Sequence, residues 1–186
     1  MTIDIDHAEQ YINYSLRRLK QSNLHYDWKT IYVGYKLSII KEGEVTQYAV
    51  EFLATHPHCE NTSIVDLAWG EFDIDYERML KGIVQELYGG EPIESSSVWE
   101  YENRKWRFSI LHDLDAEHKH SPQTLLHKIA EVYADFGYPE EMERFIYYMP
   151  SKGNTELLSS EEDHIVGLIC FFREFLRKEQ RDLDHI

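Results

Sequence analysis

The chain has 186 residues, enough for one domain with a sizeable core and short for two. Its 34 acidic residues against 19 basic ones leave a formal charge of −15, a field that repels nucleic acid and anionic lipid and favours basic protein partners. Aromatic residues at 13% exclude a disordered acidic tail, and 2 cysteines without a paired framework point to a reduced, cytoplasmic compartment. The start, MTIDIDHAEQ, has no apolar signal core, and the longest apolar run, Ile165–Phe172, is far below the ~20 residues needed to span a bilayer.

Helical signals dominate from the N-terminus onwards. Asp6 is placed to cap a first helix running to about Gln21, with Tyr11, Ile12, Leu16 and Leu19 on one side and Arg17, Arg18 and Lys20 on the other. Asp27 caps a second, striped by Trp28, Ile31, Tyr32 and Tyr35. Lys41-Glu42-Gly43 reads as a turn, and a third helix from about Glu44 carries Val45, Tyr48, Ala49, Phe52 and Leu53 until His56-Pro57 ends it. Ile64, Val65, Leu67 and Ala68 form a short fourth helix closed by Gly70. The acidic connector Glu71–Asp75 follows. Asp75 then caps a fifth helix in which Tyr76, Met79/Leu80, Ile83/Val84 and Leu87/Tyr88 recur every three or four residues, and Gly89-Gly90 ends it.

Val98–Leu114 is ambiguous. Trp106, Phe108 and Ile110 alternate as in a strand, whereas Trp106, Ile110 and Leu114 repeat as in a helix. Its length and lack of internal turn residues favour helix. His112–His120 reads as a polar linker or frayed end. Ser121 and Pro122 open a helix with Leu125, Ile129, Val132, Tyr133 and Phe136 on one face; Gly137 ends it, and Pro139 starts another that carries Phe145, Tyr148 and Met149 up to Pro150. Ser160 with Glu161-Glu162-Asp163 opens the last helix, with Ile165, Leu168, Ile169, Phe172, Phe175 and Leu176 inward and Arg173, Arg177, Lys178 and Arg181 towards its end. The expectation is a single all-α domain over residues 1–186, with about nine helices in one compact array or a short superhelix of helix pairs. The alternative is α+β, with Lys105–Ile110 as one strand of a small sheet.

The common nucleotide, hydrolase and zinc motifs are absent, and no cofactor is implied. His112-Asp113, with Asp115, His118 and His120, resembles the ligand pair of metal-dependent phosphohydrolases of the HD type, but only in that dipeptide. The nearest upstream histidine is His58, far from where that family supplies one. The alternative function is therefore a metal-dependent hydrolase using His112, Asp113 and His118. His56-Pro57-His58-Cys59 reads as a helix-ending turn before it reads as a zinc site. Cys170, inside an apolar run, reads as a buried and inert thiol, so no catalytic or metal-binding residue is assigned.

Three acidic clusters remain: Glu71, Asp73, Asp75 and Glu77; Asp135, Glu140, Glu141 and Glu143; and Glu161, Glu162 and Asp163. The first two lie beside aromatics. In such a surface charge steers a basic partner and buried aromatics supply most of the affinity. The expected partner-binding residues are Asp73, Asp75, Tyr76, Glu77, Tyr138, Glu140 and Glu141.

Asp27–Tyr35 (DWKTIYVGY), Tyr48–Leu53 (YAVEFL) and Tyr133–Pro150 (YADFGYPEEMERFIYYMP) resemble a bacterial domain family catalogued without an assigned function, over most of the chain from Trp28 to the final helix. Small acidic proteins of this kind resemble immunity proteins encoded beside toxins. The resemblance implies a compact helical protein and supplies no catalytic residues to carry over. It also implies a cytoplasmic immunity or antitoxin-type role, in which an acidic surface binds a basic toxin domain such as a nuclease, with no direct contact to nucleic acid or membrane.

Overall fold

The computed structural model describes residues 14–70, 73–149 and 160–184. Within them the elements are α1 (Leu16–Gln21), α2 (Trp28–Lys36), α3 (Glu42–Thr55), α4 (Thr62–Trp69), α5 (Tyr76–Tyr88), α6 (Ser97–Glu117), α7 (Pro122–Asp135), a 3-10 helix (Glu140–Phe145) and α8 (Glu161–Asp184). No strand occurs among the described residues. Asp6, Tyr11, Ile12, Glu71 and Pro150 lie outside them.

Local chemistry sets the helix ends. The Asp27 carboxylate accepts from the amides of Lys29 and Thr30, and the Thr30 hydroxyl accepts from the Asp27 amide, so three free donors are satisfied at the start of α2. Asn61, Asp75 and Ser96 cap α4, α5 and α6 in the same way, each from its side-chain oxygen. Gly70 and Gly89 end α4 and α5 in the left-handed conformation, with φ of 63° and 80°.

The array is organised around α6, which packs against α1, α2, α7 and α8. It lies between two apolar clusters. Trp99 and Trp106 enter the first, with Leu16, Leu19, Trp28, Ile31, Val45, Ile64, Leu80 and Val84 from α1 to α5. Phe108, Ile110, Leu111 and Leu114 enter the second, with Leu125, Ile129, Val132, Met142, Phe145 and Phe172. Because α6 is covered on several sides, its apolar residues occupy more than one face. The alternation of Trp106, Phe108 and Ile110 therefore reflects burial all round, and the strand alternative at Lys105–Ile110 is corrected to mid-helix.

At Gly34, α2 rests directly on the Trp106 ring of α6. Trp106 is fully buried, and its indole N–H donates to the Thr30 carbonyl at 2.8 Å. A Cβ built on Gly34 would lie 2.4 Å from Cζ2 of that indole, so only glycine lets α2 rest on the ring. The Thr30 hydroxyl donates to Glu102 at 2.6 Å, and Lys105 pairs with the same carboxylate at 3.0 Å. All three side chains are buried, so the ion pair is anchored on both helices' polar groups.

Several expectations shift. Arg18 is buried, not outward, because Asp113 of α6 pairs with it at 2.9 Å. The expected turn at Lys41-Glu42-Gly43 is the cap and first turn of α3, where Glu44 reaches back to the Lys41 amide. His112–Glu117 is no linker but the last turns of α6, held by Asp113 with Arg18 and by Asp115 with Arg173. The helix after Pro139 is a single 3-10 segment. Its two buried side chains, Met142 and Phe145, are spaced by three residues, which suits three per turn, and Tyr148 is exposed.

Gly34→Ala is expected to lose about 3 kcal/mol of stability, the upper end for overpacking a core, because the indole it strikes is enclosed and hydrogen-bonded. Urea unfolding of the two proteins measures the difference.

Candidate functional site

The seven residues expected to bind a partner fall on two separate surfaces. Asp73, Asp75, Tyr76 and Glu77 lie at the α4–α5 corner, on elements of the first core. Tyr138, Glu140 and Glu141 lie at the exit of α7, on elements of the second. Several are occupied in holding the fold. The Asp75 carboxylate caps α5, Glu77 pairs with Lys36 at 2.6 Å, and the Tyr76 hydroxyl meets Thr46 at 2.9 Å while its ring stacks on Tyr35.

Glu141 latches the 3-10 helix to α6 through Arg107 at 2.6 Å. Arg107 is buried and also meets Glu179 at 3.3 Å, and Glu179 in turn takes two hydrogen bonds from Arg104 at 2.8 and 2.7 Å. Burial works against ionisation of Glu141, but a backbone hydrogen bond and the Arg107 charge outweigh it and hold the carboxyl below its usual range. Glu141 thus also serves the fold, as one member of an ion pair.

The α4–α5 corner holds a residue that the helical pattern did not single out. Trp69, the last residue of α4, is 76% exposed, more than any other large apolar side chain among the described residues. Gly70 follows it and lies against Thr46 of α3, the residue that also holds Tyr76. Asp66, Asp73, Asp75 and Glu77 are all exposed at this corner, and Asp73 takes a left-handed backbone with φ of 75°. An indole in water beside carboxylates is a ready anchor for a second protein. The available sequence signal was Trp69 falling just before the helix-ending Gly70, off the Ile64–Leu67 stripe.

The metal readings find no ligand set. Asp113 faces Arg18, Asp115 receives Arg173 at 3.0 Å, and His112 stacks on Phe108 with ring centres 5.7 Å apart. No group of three or more His, Cys, Asp or Glu side chains among the described residues could hold a metal ion. His56 ends α3 stacked on Phe52 at 4.1 Å, which fits the helix-ending turn. Cys170 is exposed, not buried, since Leu168, Ile169 and Phe172 take the inward face of α8 and the helical period turns Cys170 outward. No described helix is long and apolar enough to cross a membrane.

A family model described as an uncharacterized protein conserved in bacteria (DUF2247) matches residues 16–180, from the first residue of α1 to near the end of α8. No curated protein and no solved structure gives a significant match.

Asp113→Asn is expected to cost about 3 kcal/mol, because it removes the charge of the carboxylate at 2.9 Å from a buried guanidinium, nearer than Glu117 at 3.2 Å. Thermal unfolding measures this loss. For Glu141, a carboxyl depressed on folding adds stability above its ordinary value of 4.5 and loses it as pH falls through the folded value. Glu141→Gln should therefore be less stable by about 0.5–1 kcal/mol at neutral pH, the modest scale of a half-exposed pair. The gap to the native protein should begin to close below pH 4.5 in a pH series of urea midpoints.

Proposed function

We infer that the chain, which belongs to the bacterial DUF2247 family, is a binding protein that neutralises a basic protein partner, as an immunity protein neutralises a toxin domain. The observation that carries this reading is Trp69, 76% exposed at the end of α4, in a stretch of chain that also carries the exposed carboxylates Asp66, Asp73, Asp75 and Glu77. Long-range attraction from a chain of net charge −15 steers a cationic surface towards this corner, and the indole then supplies apolar contact once water is expelled. A nuclease domain suits the role because the cleft that receives phosphates must be basic, and an acidic surface competes for it directly. In this role the chain acts in the cytoplasm by binding alone and touches neither nucleic acid nor lipid.

Affinity capture from the native bacterium at low and high salt, with mass spectrometry, tests this reading. A stoichiometric basic protein should bind the native chain. Its association rate should fall about tenfold or more as salt rises from about 0.05 to 0.3 M, and Trp69→Ala should release it with little change in that rate. Asp66 and Asp73 both changed to Lys should slow association while leaving the fold intact, since neither side chain caps a helix. A captured partner that is acidic, or one bound equally by Trp69→Ala, would sink the proposal.

A further inference from the structure

The exit of α7 carries an aromatic surface whose chemistry differs from that of the Trp69 corner. Tyr138, Tyr148 and Tyr147 are 62%, 51% and 42% exposed. Tyr147 and Tyr148 meet edge to face with ring centres 5.2 Å apart, and His127 of α7 meets Tyr147 at 4.8 Å. Tyr138 stands edge-on against Tyr133, at 5.3 Å. Burial first, then the neighbouring phenols of Tyr138 and Tyr147, raise the Tyr148 pKa, as expected where three hydroxyls feel one another.

The backbone makes this arrangement more telling. Gly137 and Tyr138 are both left-handed, with φ of 74° and 62°. The Tyr138 amide closes α7 by donating to the Tyr133 carbonyl at 2.8 Å, a bond that any residue could make. Glycine or asparagine would hold this conformation with less strain than a bulky ring. Beside its T-shaped contact with Tyr133 the ring is still mostly in water. A strained position that presents an aromatic face to solvent is where a binding role is sought.

The neighbouring charge selects the ligand. Glu140 is exposed two residues beyond Tyr138. The cation–ring contacts among the described residues fall on Tyr88, Tyr101 and Phe171, none of them in this group. Electron-rich ring faces, an adjacent carboxylate and a net charge of −15 all favour a cation. Between the two basic side chains, guanidinium stacks flat on an aromatic face and pairs with a carboxylate through two parallel bonds, whereas ammonium does neither as well.

We propose that Tyr138, Tyr147, Tyr148 and Glu140 form a binding surface for an arginine-bearing segment of a partner protein, selective for arginine over lysine. The surface is built on elements of the second core and does not rest on the Trp69 corner.

Fluorescence anisotropy with nona-arginine and nona-lysine peptides on the full chain, at equal ionic strength, separates stacking recognition from simple charge attraction. The native protein should bind the arginine peptide about tenfold tighter than the lysine peptide. Tyr138→Gly and Tyr148→Ala should each bring the arginine peptide down towards the lysine value. Tyr138→Gly should melt no lower than the native chain, since it relieves the left-handed strain, which separates lost recognition from lost folding. Trp69→Ala should keep the arginine preference. Equal affinities for the two peptides, or a preference that survives both tyrosine substitutions, would overturn the assignment whatever becomes of the Trp69 corner.

Discussion

Everything in this fold leans on one close contact, the flat face of α2 at Gly34 against the indole of Trp106. The ring fills the space that a side chain on α2 would take, and its N–H is satisfied by the Thr30 carbonyl of the same helix. Thr30 in turn links the α2 cap to Glu102, so helix start, helix crossing and buried charge are fixed together. Apolar packing alone would tolerate α2 sliding along α6. The requirement that Trp106, Thr30 and Glu102 all keep their hydrogen bonds in a dry interior leaves one position.

Charge is distributed by the same logic. The basic residues are few, and many are spent inside or at seams: Arg18 on Asp113, Lys105 on Glu102, Arg107 on Glu141 and Glu179, Arg173 on Asp115. Each joins different elements or secures α6. The consequence for the surface is that carboxylates such as Asp66, Asp73 and Glu140 face water where fewer cations are left to offset them. A composition that reads as a uniform acidic coat is, in space, an interior stitched by arginine and an exterior with acidic corners. Two of those corners hold exposed aromatic rings.

Helix ends were the most legible part of the sequence. Asp27, Asp75, Gly70, Gly89 and Gly137 each act where their side chain, or lack of one, predicts, since capping is decided within a few residues. The all-helical class followed from period, and even α6 was recognised as helix despite its alternating apolar residues. Long-range pairing was not legible. Nothing local shows that Arg18 turns inward, because its reason is Asp113, some 95 positions away. The same gap hid the roles of Asp115 and Glu141, whose partners lie on other elements. For Tyr138 and Glu140, as for Asp73 and Glu77, adjacency of acids to aromatics is visible in the sequence, but the placement of the two groups on opposite cores is not. Trp69 was overlooked because an aromatic at a helix end looks like core until the stripe it misses is known.

The position of α6 between the two apolar clusters also bears on how the molecule comes apart. Trp106 and Phe108, only two residues apart, belong to opposite clusters on one rigid rod. If the first half opened alone, α6 would expose one side to water, Glu102 would lose the Thr30 hydroxyl and Asp113 would be parted from Arg18; if the second did, Arg107 would be parted from Glu141 and Glu179. The halves therefore melt as one unit, with the amides of α6 protected from solvent exchange until the whole array is lost. Both exposed aromatic corners sit at the ends of other helices, outside that last-to-open rod.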